Sequence, residues 1–351
     1  MRRRLLDMLV CPLCGGALGL KAFRKESNEV MDGLLECRGC RKSFPVIGGI
    51  PRMLPSSMIN AQLLQGFAKT YGSKVPSDVK EAGAPTGEKL KERTSRSFGF
   101  QWNVFSQMFG EYEKNFLNYI KPLEPGFFRG KLVLDAGCGF GRHTYYAAKY
   151  GAEVVGFDLS DAVEAAYKNC RKLNVHIVQG DIYHLPFRKR FDFIMSIGVL
   201  HHLPEPENGF LSLAGLMGSR TQIFVWLYGR EGRWFKLHIV EGLIRAVTKH
   251  MPHRMLYYCC YAPAAVYHAF NVLYNAGGGA DGSRLTRRLP FRGYAKFPFR
   301  VKHADAFDLL ATPVNNYYTK AQVGQWAADA KLKDISITSM EGKSWRLFGR
   351  K

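Results

Sequence analysis

Four cysteines near the N-terminus have the spacing of a metal site. Cys11 and Cys14 form one CxxC pair, and Cys37 and Cys40 form a second pair 22 residues further along the chain. Each pair can place two thiolates on one Zn²⁺ ion, so that two pairs fill its four tetrahedral positions. Because no position remains for a reacting water, we expect a structural zinc ion. Disulfides are the less favoured alternative, since the N-terminal residues lack the apolar stretch of a secretory signal.

A glycine-rich turn and three acidic residues form a second candidate site. The turn Asp135–Gly141 has the pattern DxGxGxG, whose glycines let backbone amides approach a ligand closely. It is not the GxGxxG dinucleotide pattern, because Arg142 stands where the third glycine would fall. Asp158 and Asp181 each follow a predicted strand. Asp158 can accept hydrogen bonds from both hydroxyls of a ribose, and Asp181 is placed to accept one from an adenine amino group.

Hydrophobic strands alternate with helices around these acids. The predicted strands begin at Lys131 and then cover Glu153–Asp158, His176–Gly180, Phe191–Ile197, Thr221–Tyr228, Ile335–Ser339 and Trp345–Phe348. Helices are expected at 142–150, at 161–172 and after a capping box formed by Thr319 and Gln322. This alternation predicts a doubly wound α/β sheet that is mainly parallel.

The order of these motifs resembles the class I S-adenosylmethionine-dependent methyltransferases, especially the branch of ubiquinone and menaquinone biosynthesis. The resemblance covers roughly 131–228 and 313–351 and implies a Rossmann-like, seven-stranded doubly wound sheet. It implies that the glycine loop holds the methionine end of the cofactor and that the two later acids hold the ribose and the adenine. The residues that it assigns to the cofactor are Asp135, Gly137, Cys138, Gly139, Gly141, Asp158, Leu159, Asp181, Ile182, Ser196 and Gly198.

The N-terminal segment resembles the small zinc-ribbon domain that activates RNA and protein methyltransferases. The similarity lies in LLDMLVCPLC at 5–14 and FPVIGGIP at 44–51. The predicted organisation is therefore a zinc ribbon, a linker, a methyltransferase domain and a helical insertion within it. The corresponding ranges are 1–54 for the ribbon, 55–97 for the linker, 98–228 with 305–351 for the methyltransferase domain, and 229–304 for the insertion. A helical pattern from Trp102 to Tyr119 is interpreted either as a core-facing helix or as a flap over the cofactor.

The positive charge is concentrated in the insertion. The chain carries a net charge of +21, and residues 229–303 hold 13 Lys and Arg against 3 Asp and Glu. Such an excess indicates an anionic partner, namely a nucleic acid, a lipid surface or a phosphorylated substrate. A basic amphipathic helix is expected at 233–250, before the uncharged run Met255–Ala280. This run is interpreted as folded cap helices, as an interfacial membrane contact or as a spanning helix. The basic stretch 283–300 is interpreted as a phosphate-binding cluster or as a solvated loop.

Candidate catalytic residues follow from the chemistry that the resemblance implies. Methyl transfer from a sulfonium is an in-line displacement that depends mostly on positioning, and it needs a base only when the nucleophile keeps its proton. His201, just past the fourth strand, is the nearest candidate base, unless it and His202 only pack the loop. Further candidates flank the return of the insertion to the core. They are His303, Asp305, Tyr317 and Tyr318.

Three functions fit these features. The preferred one is a cytoplasmic methyltransferase for a small-molecule, carbohydrate or lipid-linked intermediate, with peripheral membrane contact left open. The second is an rRNA or tRNA methyltransferase that binds RNA through the ribbon and the basic insertion. The third is a SAM-binding regulatory protein without turnover. The chain reads Ser196-Ile197-Gly198-Val199 after the fourth strand, which argues against adenine-N6 and glutamine methylation.

Overall fold

The computed structural model describes residues 1–80, 89–231, 242–278 and 295–351. Residues 233–241 of the predicted amphipathic helix and 283–294 of the predicted basic stretch lie outside the described residues. The strands are β1 (Leu18–Glu26), β2 (Glu29–Cys37), β3 (Ser43–Ile47), β4 (Ile50–Met53), β5 (Leu132–Ala136), β6 (Glu153–Asp158), β7 (Val175–Gly180), β8 (Phe193–Ile197), β9 (Gln222–Tyr228), β10 (Lys333–Met340) and β11 (Ser344–Arg350).

The helices alternate with these strands in the order that the sequence predicted for the core. They are α1 (Arg3–Leu6), α2 (Ala61–Tyr71), α3 (Ser77–Lys80), α4 (Lys89–Val104), α5 (Glu111–Ile120), α6 (Arg142–Lys149), α7 (Val163–Cys170), α8 (Pro206–Gly215), α9 (Gly242–Thr248), α10 (His253–Cys259), α11 (Tyr261–Ala276), α12 (Phe299–Ala311) and α13 (Lys320–Asp329). The predicted capping box of Thr319 and Gln322 opens α13. Helix α12 crosses the predicted boundary between insertion and core.

The predicted seven-stranded sheet is present, and the ribbon extends it. Seven strands lie in the order β7-β6-β5-β8-β9-β11-β10. The first five are parallel, and β11 is antiparallel to both of its neighbours. Strand β4 of the ribbon then pairs in parallel with β7, so the described residues form one eleven-stranded sheet. The ribbon predicted at 1–54 thus shares a sheet with the methyltransferase core, and β4 covers backbone groups that β7 would expose as an edge strand.

Ribbon and core also share their packing. Met8 and Leu9 of the ribbon lie in the same buried hydrophobic cluster as Val178, Ile182 and Phe187 of the methyltransferase core. The backbone continues this contact, since the Val10 amide donates to the Pro186 carbonyl at 2.9 Å. Because apolar burial supplies most of the free energy of folding, the two parts stabilise each other.

A buried arginine ties the ribbon to the core electrostatically. Arg52 of β4 is only 1% exposed and donates to the Gln179 side chain at 3.0 Å. It also pairs with Glu164 of α7. Breaking a buried charge pair on one side is strongly destabilising, because the remaining charge loses its partner.

The N-terminal helices and the insertion cover the carboxyl ends of the parallel strands. The continuous helix predicted from Trp102 to Tyr119 is wrong: α4 ends at Val104 and α5 begins after Gly110. Within the insertion, α10 and α11 pack on α12, and Leu256, Cys260 and Phe307 share one buried cluster, which favours the interpretation as folded cap helices. Within the described ranges, no helix has both the length and the apolar character that crossing a bilayer requires.

Candidate functional site

The four cysteines meet at one point of the ribbon. Their Sγ atoms lie within 4.8 Å of one another, at 3.6 Å for Cys11 and Cys40 and 3.5 Å for Cys14 and Cys37. Zn–S bonds of about 2.3 Å in a tetrahedron place sulfurs about 3.8 Å apart, so the cluster fits Zn²⁺. A Cβ on Gly16 would stand 3.1 and 3.2 Å from two of these sulfurs, which explains why glycine follows the first pair.

The glycine loop after β5 has a backbone that other residues would strain. Gly137 has a φ of +88°, and a Cβ there would lie 2.2 Å from Val199. Gly139 has a φ of +52° and lies beneath the ring of Trp102. Cys138 is buried and Gly141 precedes α6, so these two support the loop. The Trp102 contact supports the flap interpretation of the N-terminal helix.

Asp135 and Asp158 close this loop from two adjacent strands. Asp158 accepts from the Gly139 amide at 2.9 Å and from the Ser160 amide and hydroxyl at 2.8 and 2.7 Å. Burial raises its pKa. Asp135 is 1% exposed and accepts from the Thr144 hydroxyl at 2.6 Å, and burial raises its pKa to about 7. The predicted roles of these two carboxyls, beside the sulfonium and at the ribose, stay predictions.

Asp181 already has a cationic partner. Lys91 of α4 donates to Asp181 Oδ2 at 2.7 Å, and the two residues are 6% and 5% exposed. The other carboxylate oxygen accepts from the Tyr183 amide at 3.1 Å. Neighbouring Ile182 is buried in the core, and the Leu159 carbonyl accepts from a glutamine side chain. An adenine amino group that donates to Asp181 would therefore compete with the Lys91 ammonium for this carboxylate.

Protonation of Asp135 gives a first prediction. A sulfonium cation beside the loop favours the ionised carboxylate, so S-adenosylmethionine binding at about pH 6.5 should release protons, because the pKa of Asp135 is about 7 without it. Calorimetry in buffers of different ionisation enthalpy measures this release. Without cofactor, stability should fall as pH rises from about 4 to about 7, because the folded state holds this proton more tightly than the unfolded chain.

The matched variants are Asp135→Asn and Asp192→Asn. Asp192 accepts from the Leu132 amide at the other end of β5 and serves as the control. Proton release should disappear only in the first variant. Release that survives in Asp135→Asn contradicts the assignment of this carboxyl to the cationic end of the ligand.

The Lys91–Asp181 pair gives a second prediction. Lys91→Met leaves a buried carboxylate without its cation, so the ligand-free protein should melt at a lower temperature. S-adenosylmethionine should then raise the melting temperature more than in the unaltered protein, because adenine no longer competes with the ammonium. Thermal melts with and without ligand test this, with the exposed Lys89→Met on the same helix as control. An unchanged ligand-induced shift in Lys91→Met argues against competition at Asp181.

His201 and Tyr317 lie together beyond the parallel strands, whereas three other predicted residues do not face this region. Ser196 is buried and donates to the Ala136 carbonyl at 2.9 Å, so its hydroxyl joins two strands instead of lining the methyl-transfer side. His303 packs inside the cap, with Nε2 2.8 Å from the Tyr257 carbonyl. Tyr318 packs edge-to-face with Trp326 of the core, with ring centroids 4.6 Å apart. Adjacent residues of an extended segment point to opposite sides, which explains why Tyr317 and Tyr318 differ.

His201 has the environment of a neutral imidazole. Its residue exposure is 0%, and burial lowers its pKa well below the ordinary value. Its ring lies 3.8 Å from that of Tyr228, which in turn stacks on Tyr317 at 5.5 Å. Burial raises the pKa of Tyr228 well above its ordinary value, and the charges of Asp308 and Asp305 on α12 add to this effect. Burial leaves a nitrogen lone pair of His201 free to accept a proton, but the lowered pKa also makes His201 a weak base.

Several residues around His201 escaped the sequence analysis. Trp226 and Tyr228 stand two positions apart on β9, so strand alternation puts both on the side of His201. That signal was available in the sequence. Tyr119 and His143 come from two other helices, and no local pattern brings them together.

Two family profiles match this chain. The family described as "Methyltransferase domain" matches residues 133–214, and the family described as "Trm112p-like protein" matches residues 2–49. The first match covers the glycine loop, all three acids and His201. The second covers all four cysteines.

Individual relatives match part of the chain. A ubiquinone biosynthesis O-methyltransferase of Proteus mirabilis is 30% identical over 140 residues, 38% of this chain and 57% of that protein. A tRNA U34 carboxymethyltransferase of Pseudoalteromonas translucida is 37% identical over 95 residues, 26% of this chain and 28% of that protein. The chain thus spans less than two thirds of the length of these relatives.

A solved structure aligns over a longer range. It is magnesium protoporphyrin IX methyltransferase from Synechocystis with bound SAH, at 16% identity and a TM-score of 0.45, covering 75% of this chain and 98% of that one. The two family matches assign two parts of the chain and not the whole of it. The chain carries a class I methyltransferase domain preceded by a Trm112p-like domain.

Proposed function

We propose that this protein transfers the methyl group of S-adenosylmethionine to a small-molecule, carbohydrate or lipid-linked biosynthetic intermediate. The observation that carries the proposal is the row of acids at the ends of adjacent parallel strands. Asp135 lies next to the end of β5, just before the glycine loop, Asp158 is the last residue of β6, and Asp181 directly follows β7. Ligands of open α/β sheets bind beyond the carboxyl ends of the strands, which is where these acids stand.

The protein contributes orientation and proton handling to this reaction. The cofactor supplies an activated methyl group on a sulfonium, so catalysis depends mainly on alignment. Asp158 fixes the glycine loop and stands ready for ribose hydroxyls. His201 is neutral and buried, and it would accept the proton of a hydroxyl acceptor. Trp102 covers the loop and would keep water from it.

RNA methylation is the second candidate. The Trm112p-like match and the name of the Pseudoalteromonas relative favour it. Ion pairing in the ribbon weighs against it, because four of its ten Lys and Arg are paired to acids of this chain. Arg2, Arg4, Arg24 and Arg52 are the paired residues, and paired arginines are less available for phosphates. Most of the arginine-rich stretch lies outside the described residues.

The decisive measurement identifies the class of molecule that accepts the methyl group. Purified protein is incubated with methyl-labelled S-adenosylmethionine and an extract of the source cells, and the label is followed into RNA, protein, lipid and small solutes. Label in lipid or small solutes is the expected result. Label in RNA would overturn the preferred acceptor class, and cofactor binding without transfer to any fraction would favour a regulatory protein. Asp158→Asn, used at a cofactor concentration too low for its weakened binding, corrects for non-enzymatic labelling.

We further propose that the cap contacts an anionic lipid surface, from which a lipid-linked acceptor would enter. Among the described residues, nine of the twelve exposed large hydrophobic side chains fall between 243 and 273. Leu243 and Val247 are one helical turn apart on α9, and 69% and 67% of their surface is exposed. Residues 242–278 contain Arg245, Lys249 and Arg254 but no acid. Apolar side chains beside unopposed positive charge suit an anionic bilayer surface.

Vesicle sedimentation tests this contact. The protein should sediment with vesicles of phosphatidylglycerol and phosphatidylcholine, and much less with phosphatidylcholine alone. Replacing Leu243 and Val247 by Asp should reduce the bound fraction at least about tenfold, through lost apolar burial and charge repulsion. Ile335→Asp, at an exposed apolar residue of β10, is the control. Equal binding of the double variant, or a concentration-dependent dimer that the variant abolishes, would contradict a lipid partner.

A further inference from the structure

One edge of the sheet lies opposite the acids of the proposed cofactor site. These acids stand at the carboxyl ends of parallel strands, so the first residues of the same strands lie at the other edge. Strand β11 ends and β10 begins there too, since Arg350 pairs with both Gln222 and Lys333. We name this edge the amino edge. It comprises residues 129–132, 150–153, 171–175, 188–193, 219–222, 331–334 and 350–351.

The amino edge is strongly basic. It carries twelve Lys and Arg but only three acids, and ten of the twelve are exposed, among them the run Arg188–Arg190. Helix α1 adds the exposed Arg3 and Arg4, because Arg4 pairs with Glu153 at the start of β6. The charges come from short segments far apart in the sequence, so the fold and not a single basic run brings them together.

The three acids of the amino edge leave most of this charge unopposed. Glu153 pairs with Arg4 of α1, and Asp334 pairs with Arg350. Asp192 accepts from the Leu132 amide at 2.8 Å. Within the part of the chain that the structure describes, Arg350 alone among the twelve forms an ion pair. Unopposed like charges repel one another and destabilise the compact state, which a bound anion would relieve.

Two clefts open on the amino edge. One, of about 300 Å³, lies where β9, β10 and β11 meet the edge, and its lining includes Arg220, Lys333 and Lys351. With Arg350, this lining holds four basic side chains and, among the described residues, no acidic one. The other cleft, also of about 300 Å³, lies between α1 and the start of β5 and contains Arg190. Anionic groups thus have places to enter at two separate points.

Uncharged groups hold two of these cations in position. The Arg190 guanidinium donates to the Asp7 carbonyl at 3.2 Å, and the Lys351 ammonium donates to the Ala214 carbonyl at 3.1 Å. A carbonyl orients a cation without cancelling its charge. Because these side chains are already ordered, they lose less conformational entropy when an anion binds.

The width of the amino edge suits a polymer of phosphates. Seven strands that are spaced about 4.8 Å apart give an edge about 29 Å wide. Base pairs of a double helix follow one another every 3.4 Å or so, and the edge therefore spans about eight of them. A single phosphate would neutralise one cleft and leave the rest of the charge as it is.

The surface chemistry of the amino edge differs from that of the cap. Among the described residues, no segment of the amino edge contains an exposed large hydrophobic side chain, and the nearest one along the chain is Ile335 of β10. The cap instead combines its charge with the exposed Leu243 and Val247. Interfacial membrane helices insert apolar side chains, whereas nucleic acids attract proteins through phosphate charge. This difference favours a nucleic acid over a bilayer at the amino edge.

We propose that the amino edge binds the phosphate backbone of a nucleic acid. The inference goes beyond the proposed methyl transfer, because the length of β5, about 16 Å at about 3.3 Å per residue, separates the edge from the glycine loop. Phosphates bound here lie away from the cofactor. Binding should not depend on base sequence, since contacts to phosphates do not read it. The acids at the carboxyl ends of the strands repel the same polyanion, so the charge distribution also orients the protein on it.

Binding of the full, zinc-loaded chain to labelled duplexes tests the proposal. Fluorescence anisotropy is measured with an RNA duplex of about 20 base pairs and with a DNA duplex of the same sequence, at several salt concentrations. We expect dissociation constants in the micromolar range at about 0.1 M salt, and a logarithm of affinity that falls linearly with the logarithm of the salt concentration. The duplex that binds more tightly identifies the kind of nucleic acid.

Two double variants remove charge from different parts of the amino edge. Arg188→Glu with Lys189→Glu alters the loop before β8, and Arg220→Glu with Lys333→Glu alters the first cleft. Each should weaken duplex binding at least about tenfold and flatten its dependence on salt, because fewer phosphates are neutralised. The affinity for S-adenosylhomocysteine should stay unchanged in both.

The control has the same change of net charge at another place. Lys25→Glu with Lys69→Glu alters exposed lysines of β1 and α2, and it should weaken duplex binding less than about threefold. An equal loss in this control would overturn the assignment to the amino edge, as would the absence of binding to either duplex. Edge variants that no longer sediment with phosphatidylglycerol vesicles would assign the edge to a lipid surface instead. Failure of the unaltered protein to bind S-adenosylhomocysteine would overturn the proposed function alone.

Discussion

Removal of the metal from the cysteine cluster should lower the melting temperature of the whole protein by at least about 10 °C. Structural zinc contributes on the order of 10 kcal/mol to the folding of small zinc domains. Each kcal/mol corresponds to about 2–4 °C in a domain of this size. The effect should reach the methyltransferase core, because β4 pairs with β7 and because Arg52 contacts Gln179. Differential scanning calorimetry with and without a chelator measures the change.

A pair of cysteine variants controls this experiment. Cys14→Ser removes one ligand of the cluster, whereas Cys259→Ser alters an equally exposed thiol on the cap. The melting temperature should fall only in the first variant, and chelator should have no further effect on it. A core that melts at its normal temperature while the metal-free ribbon is unfolded would show that the two parts are energetically independent, contrary to their shared hydrophobic cluster.

Asp158→Asn should weaken S-adenosylmethionine binding about 100-fold, which corresponds to roughly 2.7 kcal/mol. The carboxylate accepts from the Gly139 amide with one oxygen and from Ser160 with the other. An asparagine there turns one acceptor into a donor that faces another donor, so the loop loses its support and the ribose loses a charged partner. Isothermal calorimetry at pH 8 measures the affinity.

The control for this variant is again Asp192→Asn, whose carboxylate accepts from the amide of Leu132, the first residue of β5. It should bind with the affinity of the unaltered protein. Melting of both variants without ligand separates a loss of binding from a loss of folding. If Asp158→Asn is folded and still binds within about threefold of the original affinity, the ribose is held elsewhere.

The sequence was informative wherever function depends on local spacing. The two CxxC pairs, the DxGxGxG turn and an acid at each strand end are short patterns, and each reflects one chemical requirement. The zinc cluster and the succession of the core strands were therefore predictable. The break between α4 and α5 was missed because apolar residues keep their helical spacing through Gly110, although the helical backbone is interrupted there.

Long-range pairings account for most of what sequence reasoning missed. Strand β4 contains Arg52. Charged residues are mostly exposed, and the sequence does not show the distant partner that allows this one to be buried. Its partners Glu164 and Gln179 are more than a hundred residues away. Lys91 has its partner Asp181 at a similar distance. His303 was interpreted as catalytic from its place next to the core, but its ring is held by Tyr257 of the cap.

The pairing of β4 with β7 also has a consequence for regulation by concentration. When a strand that completes a sheet belongs to a separate protein, the fraction of complete sheets depends on the amounts of both proteins and on their affinity. Here the strand belongs to the same chain, and its effective concentration at the edge of β7 is fixed by covalent connection. Dilution cannot separate the two, so each molecule keeps its strand in every cell in which it is made, however few copies are present.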